Sequence, residues 1–131
     1  MADTLSQLPS EVNLSFISRD TFRIRVRVMD PESMTPEDLS GYKFCAEIAQ
    51  DVVPRSIVAE FTITPDPDAP NEAVILTLTP QESAPLPGMG DGRRFQGVWD
   101  LEVTFPSGDV RTVAAGTVVV GIDVSDCQIT P

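Results

Sequence analysis

The chain lacks several residues on which catalytic and metal sites are usually built. Its 131 residues include no histidine, one tryptophan, one tyrosine and a single lysine, Lys43. Without histidine, a Cys–His nucleophile pair and a histidine metal ligand are both excluded. Cys45 and Cys127 are expected to be free thiols, because the first residues do not predict a signal peptide and hence an oxidising compartment. Cys45 lies in a predicted strand and is expected to behave as a small buried apolar group.

Basic residues are also scarce, with 9 against 20 acidic residues and a formal net charge of -11. Such a surface repels the phosphate backbone and anionic membrane surfaces, so neither nucleic acid nor a membrane is an expected partner. No apolar run reaches the roughly 18 residues of a membrane-spanning helix, and the protein is expected to be made and kept in the cytoplasm. The acidic surplus is interpreted as a solubility feature, with docking onto a basic patch of a partner as the alternative.

What the sequence does contain is a repeated alternation of apolar and polar residues, the period of a half-buried strand. It is longest from Phe95 to Phe105, and Pro106-Ser107-Gly108-Asp109 then predicts a hairpin turn into a second run. A helix start is predicted at Thr79, where Pro80 and Glu82 complete a capping pattern. The predicted strands cover residues 11–17, 21–29, 42–49, 57–63, 73–79, 95–105 and 110–122.

These elements predict an all-β fold, an immunoglobulin-like antiparallel β-sandwich of about seven strands with one short corner helix. The sandwich is expected over residues 11–124, with a flexible arm at residues 1–10 and a tail at residues 125–131. The glycine-rich segment 87–94 is interpreted as a mobile loop. The residues expected to anchor the core between the two sheets are Phe22, Tyr42, Phe61, Leu76, Trp99 and Leu101.

Three arginines, Arg23, Arg25 and Arg27, share one face of the strand predicted at residues 21–29. They would repel one another unless acids stand opposite, and the expected partners are Asp100 and Glu102, or Glu47. The preferred interpretation is an ion-pair ladder on an outer face. The alternative is a binding face for an acidic partner.

Other candidate partner-binding residues are apolar or basic side chains outside the strand pattern. The N-terminal arm either frays or orders on a neighbouring subunit. The loop at residues 64–72 contains Asp66 and Asp68, but it lacks the further oxygen ligands and the glycine of a calcium loop, so no metal or cofactor is expected. The candidate partner-binding residues outside the strand pattern are Leu5, Leu8, Met89, Arg93, Arg94 and Ile129.

Five short motifs, taken in order, resemble those of a family of small bacteriophage virion proteins. They are Arg19-Asp20-Thr21-Phe22, Asp38-Leu39-Ser40-Gly41-Tyr42, Leu76-Thr77-Leu78-Thr79-Pro80-Gln81-Glu82, Trp99-Asp100-Leu101-Glu102-Val103 and Gly116-Thr117-Val118-Val119-Val120. The set, spread over about residues 17–124, is similar to the N-terminal domain of phage baseplate upper proteins and to stand-alone Ig-like proteins of tailed phages.

The resemblance implies a non-enzymatic structural or adaptor protein of a tailed-phage virion, in the tail, baseplate or fibre attachment. It would be made in the host cytoplasm, contact other virion proteins and form a homo-oligomer within the assembly. A capsid decoration protein remains open, as does a carbohydrate-binding receptor-recognition module with Trp99 or Tyr42 stacked on a sugar. An enzyme is not indicated, because paired carboxylates such as Asp91 with Asp109 or Glu60 have no reason to share a cleft.

Overall fold

The computed structural model describes residues 10–29, 33, 35–51, 56–90 and 93–122. Within these residues the chain forms two sheets and two short helical turns. In chain order the elements are β1 (Ser10–Glu11), β2 (Leu14–Ile17), β3 (Phe22–Val26), β4 (Lys43–Ala49), β5 (Ile57–Glu60), β6 (Thr62–Pro65), β7 (Val74–Leu78), α1 (Pro80–Ser83), α2 (Leu86–Met89), β8 (Arg94–Thr104) and β9 (Val110–Gly121).

The strands divide into a large sheet and a small sheet. The large sheet has the order β1-β9-β8-β4-β5, with β2 also paired to β9, and the small sheet has the order β3-β7-β6. This division of strands between two sheets is that of immunoglobulin-like sandwiches, so the predicted fold class is confirmed. One feature departs from a purely antiparallel arrangement, because β1 and β2 both pair with β9 in parallel.

The hairpin formed by β8 and β9 is the longest pairing in the structure. Its turn closes where predicted, since the amide of Phe105 donates to the carbonyl of Asp109 at 2.8 Å and the amide of Gly108 donates to the carbonyl of Phe105 at 2.8 Å. Gly108 has a φ of 95°, which a residue without a Cβ adopts readily. The hairpin therefore provides the two central strands of the large sheet.

Two of the predicted strands are each divided in the structure. The segment 11–17 is broken after Glu11 into β1 and β2. The segment 57–63 crosses from the large sheet to the small sheet at Phe61, whose side chain is buried. The alternation over residues 57–63 places Ile57 on the same side as the buried Phe61. Because β5 pairs with β4 through a register shift, Ile57 instead faces outward and is 43% exposed.

The predicted corner helix is present as α1. Thr79 caps it, accepting from the amide of Glu82, while the Glu82 carboxylate accepts from the amide of Thr79 at 2.7 Å.

The interpretation of residues 87–94 as a loop is wrong at both ends, because Pro87 belongs to α2 and is buried and Arg94 begins β8. No helix in the described ranges is long and apolar enough to cross a membrane.

The core lies between the two sheets, and most of its buried side chains come from the large sheet. Of the predicted anchors, Phe61, Leu76, Trp99 and Leu101 are buried. Phe61 meets the Trp99 ring edge-on, with centroids 6.0 Å apart. The other two are half-buried at the margins of the core, where Phe22 stacks on Phe16 and Tyr42 packs against Phe105.

Trp99 also ties the N-terminal strands to the large sheet. Its indole Nε1 donates to the carbonyl of Val12 at 2.7 Å, between β1 and β2. The β9 residue opposite Trp99 is Gly116, and a Cβ added there would clash with the same Val12 oxygen. Asn13 completes the contact by accepting from the amide of Thr117 at 3.0 Å.

Candidate interaction surfaces

The outward side of the large sheet carries a cluster of carboxylates on three adjacent strands. Glu47 on β4 lies opposite Asp100 on β8 and opposite Glu60 on β5. One step along the sheet, Glu102 lies opposite Cys45. Like charges placed directly across from one another are unfavourable for folding. We call these four acids, Glu47, Glu60, Asp100 and Glu102, the acidic patch.

Cys45 lies within this patch and is exposed, so the expectation that it is a small buried group is wrong. Its side chain is on the outward side of β4, the same side as Glu47. Partial burial, followed by the negative charges of the four acids, raises the pKa of the Cys45 thiol. The thiol therefore stays protonated at neutral pH, and its nucleophilic thiolate form is suppressed.

An open apolar groove of about 560 Å³ adjoins the acidic patch on the same face. Ala49, Val98, Ile57 and Ala115 line its apolar part. The groove is concave because the side chains on the central strands are small. Glu47, Asp51 and Asp100 also belong to its lining. Together the patch and this groove form what we call the acidic face.

The arginine row lies on the other sheet. Arg23 and Arg25 belong to β3, opposite Thr77 and Ile75 of β7, and Arg27 follows β3 directly. All three arginines are exposed. The predicted pairing with Asp100, Glu102 or Glu47 is wrong, because those acids point outward from the large sheet, on the opposite side of the sandwich. We call the outward side of the small sheet the arginine face.

The arginine row has one ion pair in the described ranges, between Arg25 and Asp66 at 2.5 Å. Asp66 is buried, and its carboxylate also accepts from the amide of Asp68 at 2.9 Å. That hydrogen bond and the guanidinium of Arg25 lower the pKa of the Asp66 carboxyl, although desolvation opposes them. Asp66 and Asp68 thus build a turn that holds Arg25. The described residues contain no group of three or more carboxylate or thiol side chains that could hold a metal ion.

The remaining candidates lie at one end of the sandwich or outside the described residues. Met89 is 39% exposed, and its carbonyl accepts from Gln50 Nε2 at 2.6 Å. Arg93 and Arg94 precede or begin β8, where Arg94 lies opposite Gly121. The structure therefore does not bring Met89, Arg93 and Arg94 onto the arginine face. Leu5, Leu8 and Ile129 lie outside the described residues.

The two aromatic candidates for sugar stacking differ in their exposure. Trp99 is 4% exposed, which leaves no ring face for a sugar. Tyr42 is half-buried between Phe44 and Phe105, and its hydroxyl donates to the Glu37 carboxylate at 2.9 Å. Carbohydrate stacking needs an open aromatic face, which Trp99 does not present, whereas Tyr42 lines a small groove together with Phe44 and Ile63.

Sequence reasoning identified the arginine face but missed the acidic face. The outward positions of Glu47, Asp100 and Glu102 follow from alternation within each strand. Their meeting requires the strand order β8-β4-β5, which no local pattern specifies. Comparison with protein-family models and with curated proteins finds no match to this chain.

Proposed function

We propose that this protein is a non-enzymatic structural or adaptor component of a tailed-bacteriophage virion, acting in the tail, baseplate or fibre attachment through contacts with other virion proteins. The observation that carries the protein-contact role is the pair of oppositely charged outer faces on one small sandwich. Flat, polar sheet faces with a local apolar groove suit protein partners, which they can contact without a deep cleft. The placement in a virion is supported by the sequence resemblance.

The motifs that carry the resemblance fall at positions where the fold needs particular residues. Arg19 has a φ of 71°, and its amide donates to Ser83 Oγ at 2.8 Å. Gly41 turns the chain into β4 with a φ of 82°, and Thr79 caps α1. Gly116 makes room for the Val12 carbonyl. The motif residues therefore form turns, a helix cap and a close contact between strands. A resemblance that arises from a shared sandwich fold is expected at such positions.

The test is to locate the chain in particles produced by the genome that encodes it. Gradient-purified particles are analysed by quantitative mass spectrometry, and an antibody against the chain is located by immunogold electron microscopy. We expect a fixed copy number per particle and label at the tail or baseplate. Label over the capsid would instead support the decoration-protein alternative. Absence of the chain from purified particles would contradict a virion role altogether.

A further inference from the structure

We propose that the arginine face of one copy docks on the acidic face of a second copy, so that copies of this chain stack face to face in one direction. The partner of the two surfaces described above is then a second copy of the chain. This inference rests on the proposed function, in which the protein acts through contacts with other proteins. The occupant of the groove is then the outer surface of β3 and β7 from the neighbouring copy.

The charges of the two faces are complementary and cannot satisfy each other within one chain. The faces point away from each other on opposite sides of the sandwich, whose sheets are about 10 Å apart. Within the described ranges, Arg25 has its partner in Asp66, and no ion pair is formed by Arg23 or Arg27. The acidic patch in turn places four carboxylates around one thiol. A second copy would bring the opposite charge to each face.

The spacing of the charges also matches. Alternate residues on a strand lie about 6.7 Å apart, so Arg23 to Arg25 and Arg25 to Arg27 repeat at the same distance as Asp100 to Glu102. Adjacent strands lie about 4.8 Å apart, which keeps further carboxylates of the patch within reach of a long, flexible guanidinium. Aligned strands on the two copies would therefore pair the rows without distortion.

An apolar contact accompanies the charged one. Ile75 lies on the arginine face, directly opposite Arg25 in the small sheet. The groove beside the acidic patch is lined by Ala49, Val98 and Ile57. Docking would place Ile75 over these side chains while the arginines meet the acids. Burial of Ile75 and Ile57 adds a hydrophobic contribution of about 25 cal/mol per Å² of apolar surface.

Because the two faces are different and lie on opposite sides, the contact is heterologous. It does not close on itself as a two-fold dimer does, and each added copy presents a fresh face. The expected product is therefore a series of stacked oligomers whose mean length increases with concentration. Attraction between the faces acts against the mutual repulsion of chains that each carry a net charge of -11.

Charge reversal on each face tests the contact. The first variant carries Arg23→Glu and Arg27→Glu, which leave the Arg25–Asp66 pair in place. The second carries Glu60→Lys and Glu102→Lys, both at exposed positions. A third carries all four changes and keeps the net charge of the wild-type chain. The control, Glu72→Lys with Asp109→Lys, changes the charge as the second variant does, at exposed sites in the connections between strands.

Sedimentation velocity is measured from micromolar to millimolar concentration, with circular dichroism and thermal unfolding to verify folding. We expect wild-type chains and the control to associate and each two-residue variant to stay monomeric. An equimolar mixture of the two variants should associate with the variants alternating, because the two intact faces have opposite charges and so do the two charge-reversed faces. The four-residue variant should associate again.

Monomeric wild-type protein throughout, association of the arginine variant at the wild-type level, or failure of the mixture to pair would each overturn the proposed contact. So would loss of association in the control, since net charge and not the acidic face would then be responsible. A chain found in particles without this self-association would leave the virion proposal standing. If the chain self-associates but is absent from particles, the contact between copies is supported and the virion proposal is contradicted.

Discussion

At the residue scale, Cys45 shows how neighbours on other strands determine the chemistry of a side chain. Its thiol is exposed, yet it is flanked by Glu47 on its own strand, Glu102 on β8 and Glu60 on β5. Burial and these charges raise its pKa. A thiol whose anion is disfavoured reacts slowly with electrophiles, so exposure alone does not make Cys45 reactive.

We expect the alkylation rate of Cys45 in a Cys127→Ser chain to increase with pH with a midpoint above the ordinary thiol value of 9.0. The measurement is the rate of reaction with neutral iodoacetamide across pH, with the urea-unfolded chain as reference. Glu60→Gln with Glu102→Gln should move the midpoint toward that of the unfolded chain. It should remain somewhat higher, because burial is the largest cause. A folded-state midpoint at or below the unfolded one would refute this assignment.

Asp66 titrates in the opposite direction, since the Asp68 amide and Arg25 lower its pKa below the ordinary 3.8. The unfolded chain therefore takes up this proton at a higher pH than the folded chain does. The resulting stabilisation is fully present above about pH 4 and is lost as the pH falls through the lowered folded pKa.

Replacing Asp66 by Asn keeps an oxygen for the Asp68 amide but removes the charge that faces Arg25. We expect Asp66→Asn to lower the midpoint of thermal unfolding at neutral pH, with a difference from wild type that vanishes in acid. Asp68→Asn is the matched control, because Asp68 contributes its amide and not its carboxylate to the turn. A difference that is equally large at acidic and neutral pH would show that the charge is not the cause.

At the element scale, the parallel addition of β1 and β2 to β9 depends on a close approach of two backbones. The Val12 carbonyl lies where the Cβ of any other residue at position 116 would be, and that carbonyl accepts the Trp99 hydrogen bond. Glycine at this position is therefore required by a contact between strands and not by its own turn geometry.

Gly116→Ala is expected to lower the free energy of unfolding by about 1–3 kcal/mol, through steric overpacking and loss of the Trp99 hydrogen bond. Urea denaturation measures this change, and hydrogen exchange should show faster exchange at the Val12 and Thr117 amides. Gly88→Ala is the control, because nothing lies within 4 Å of the added Cβ, and we expect it to be neutral or slightly stabilising. Equal effects of the two substitutions would contradict the close-approach explanation.

The crossing at Phe61 is a second feature at this scale. The chain passes from β5 in the large sheet to β6 in the small sheet at this residue, whose amide donates to the Ala46 carbonyl at 2.9 Å. Alternation continues across the crossing, so the sequence reads as a single strand over residues 57–63. At the crossing, the large apolar ring of Phe61 is buried beside Trp99.

At the scale of the whole molecule, the two sheets share one core. Trp99 is the chain's single tryptophan, lies on the large sheet and contacts Phe61 at the link to the small sheet. Because the residue that links the two sheets packs against this ring, separation of the sheets and loss of strands should occur together.

We expect the tryptophan emission of the folded protein to be blue-shifted and poorly quenched by acrylamide, since the ring is 4% exposed. In urea, the red shift of this emission and the loss of the far-ultraviolet circular dichroism signal should have one common midpoint. Trp99→Phe provides the baseline for the fluorescence signal. Two separated transitions would show that the sheets unfold independently and that the shared core does not couple them.

The sequence by itself determined which side chains share a side of each strand, where α1 begins at Thr79 and where the long hairpin turns at Gly108. These features depend on neighbours within a few residues, so local periodicity, capping and turn preferences suffice to predict them. Only the tertiary structure decided which strands are adjacent. A period of two specifies a side but neither a register nor a sheet. For this reason Arg25 pairs with Asp66 rather than Asp100, Cys45 lies among acids, and opposite charges occupy opposite faces of the sandwich.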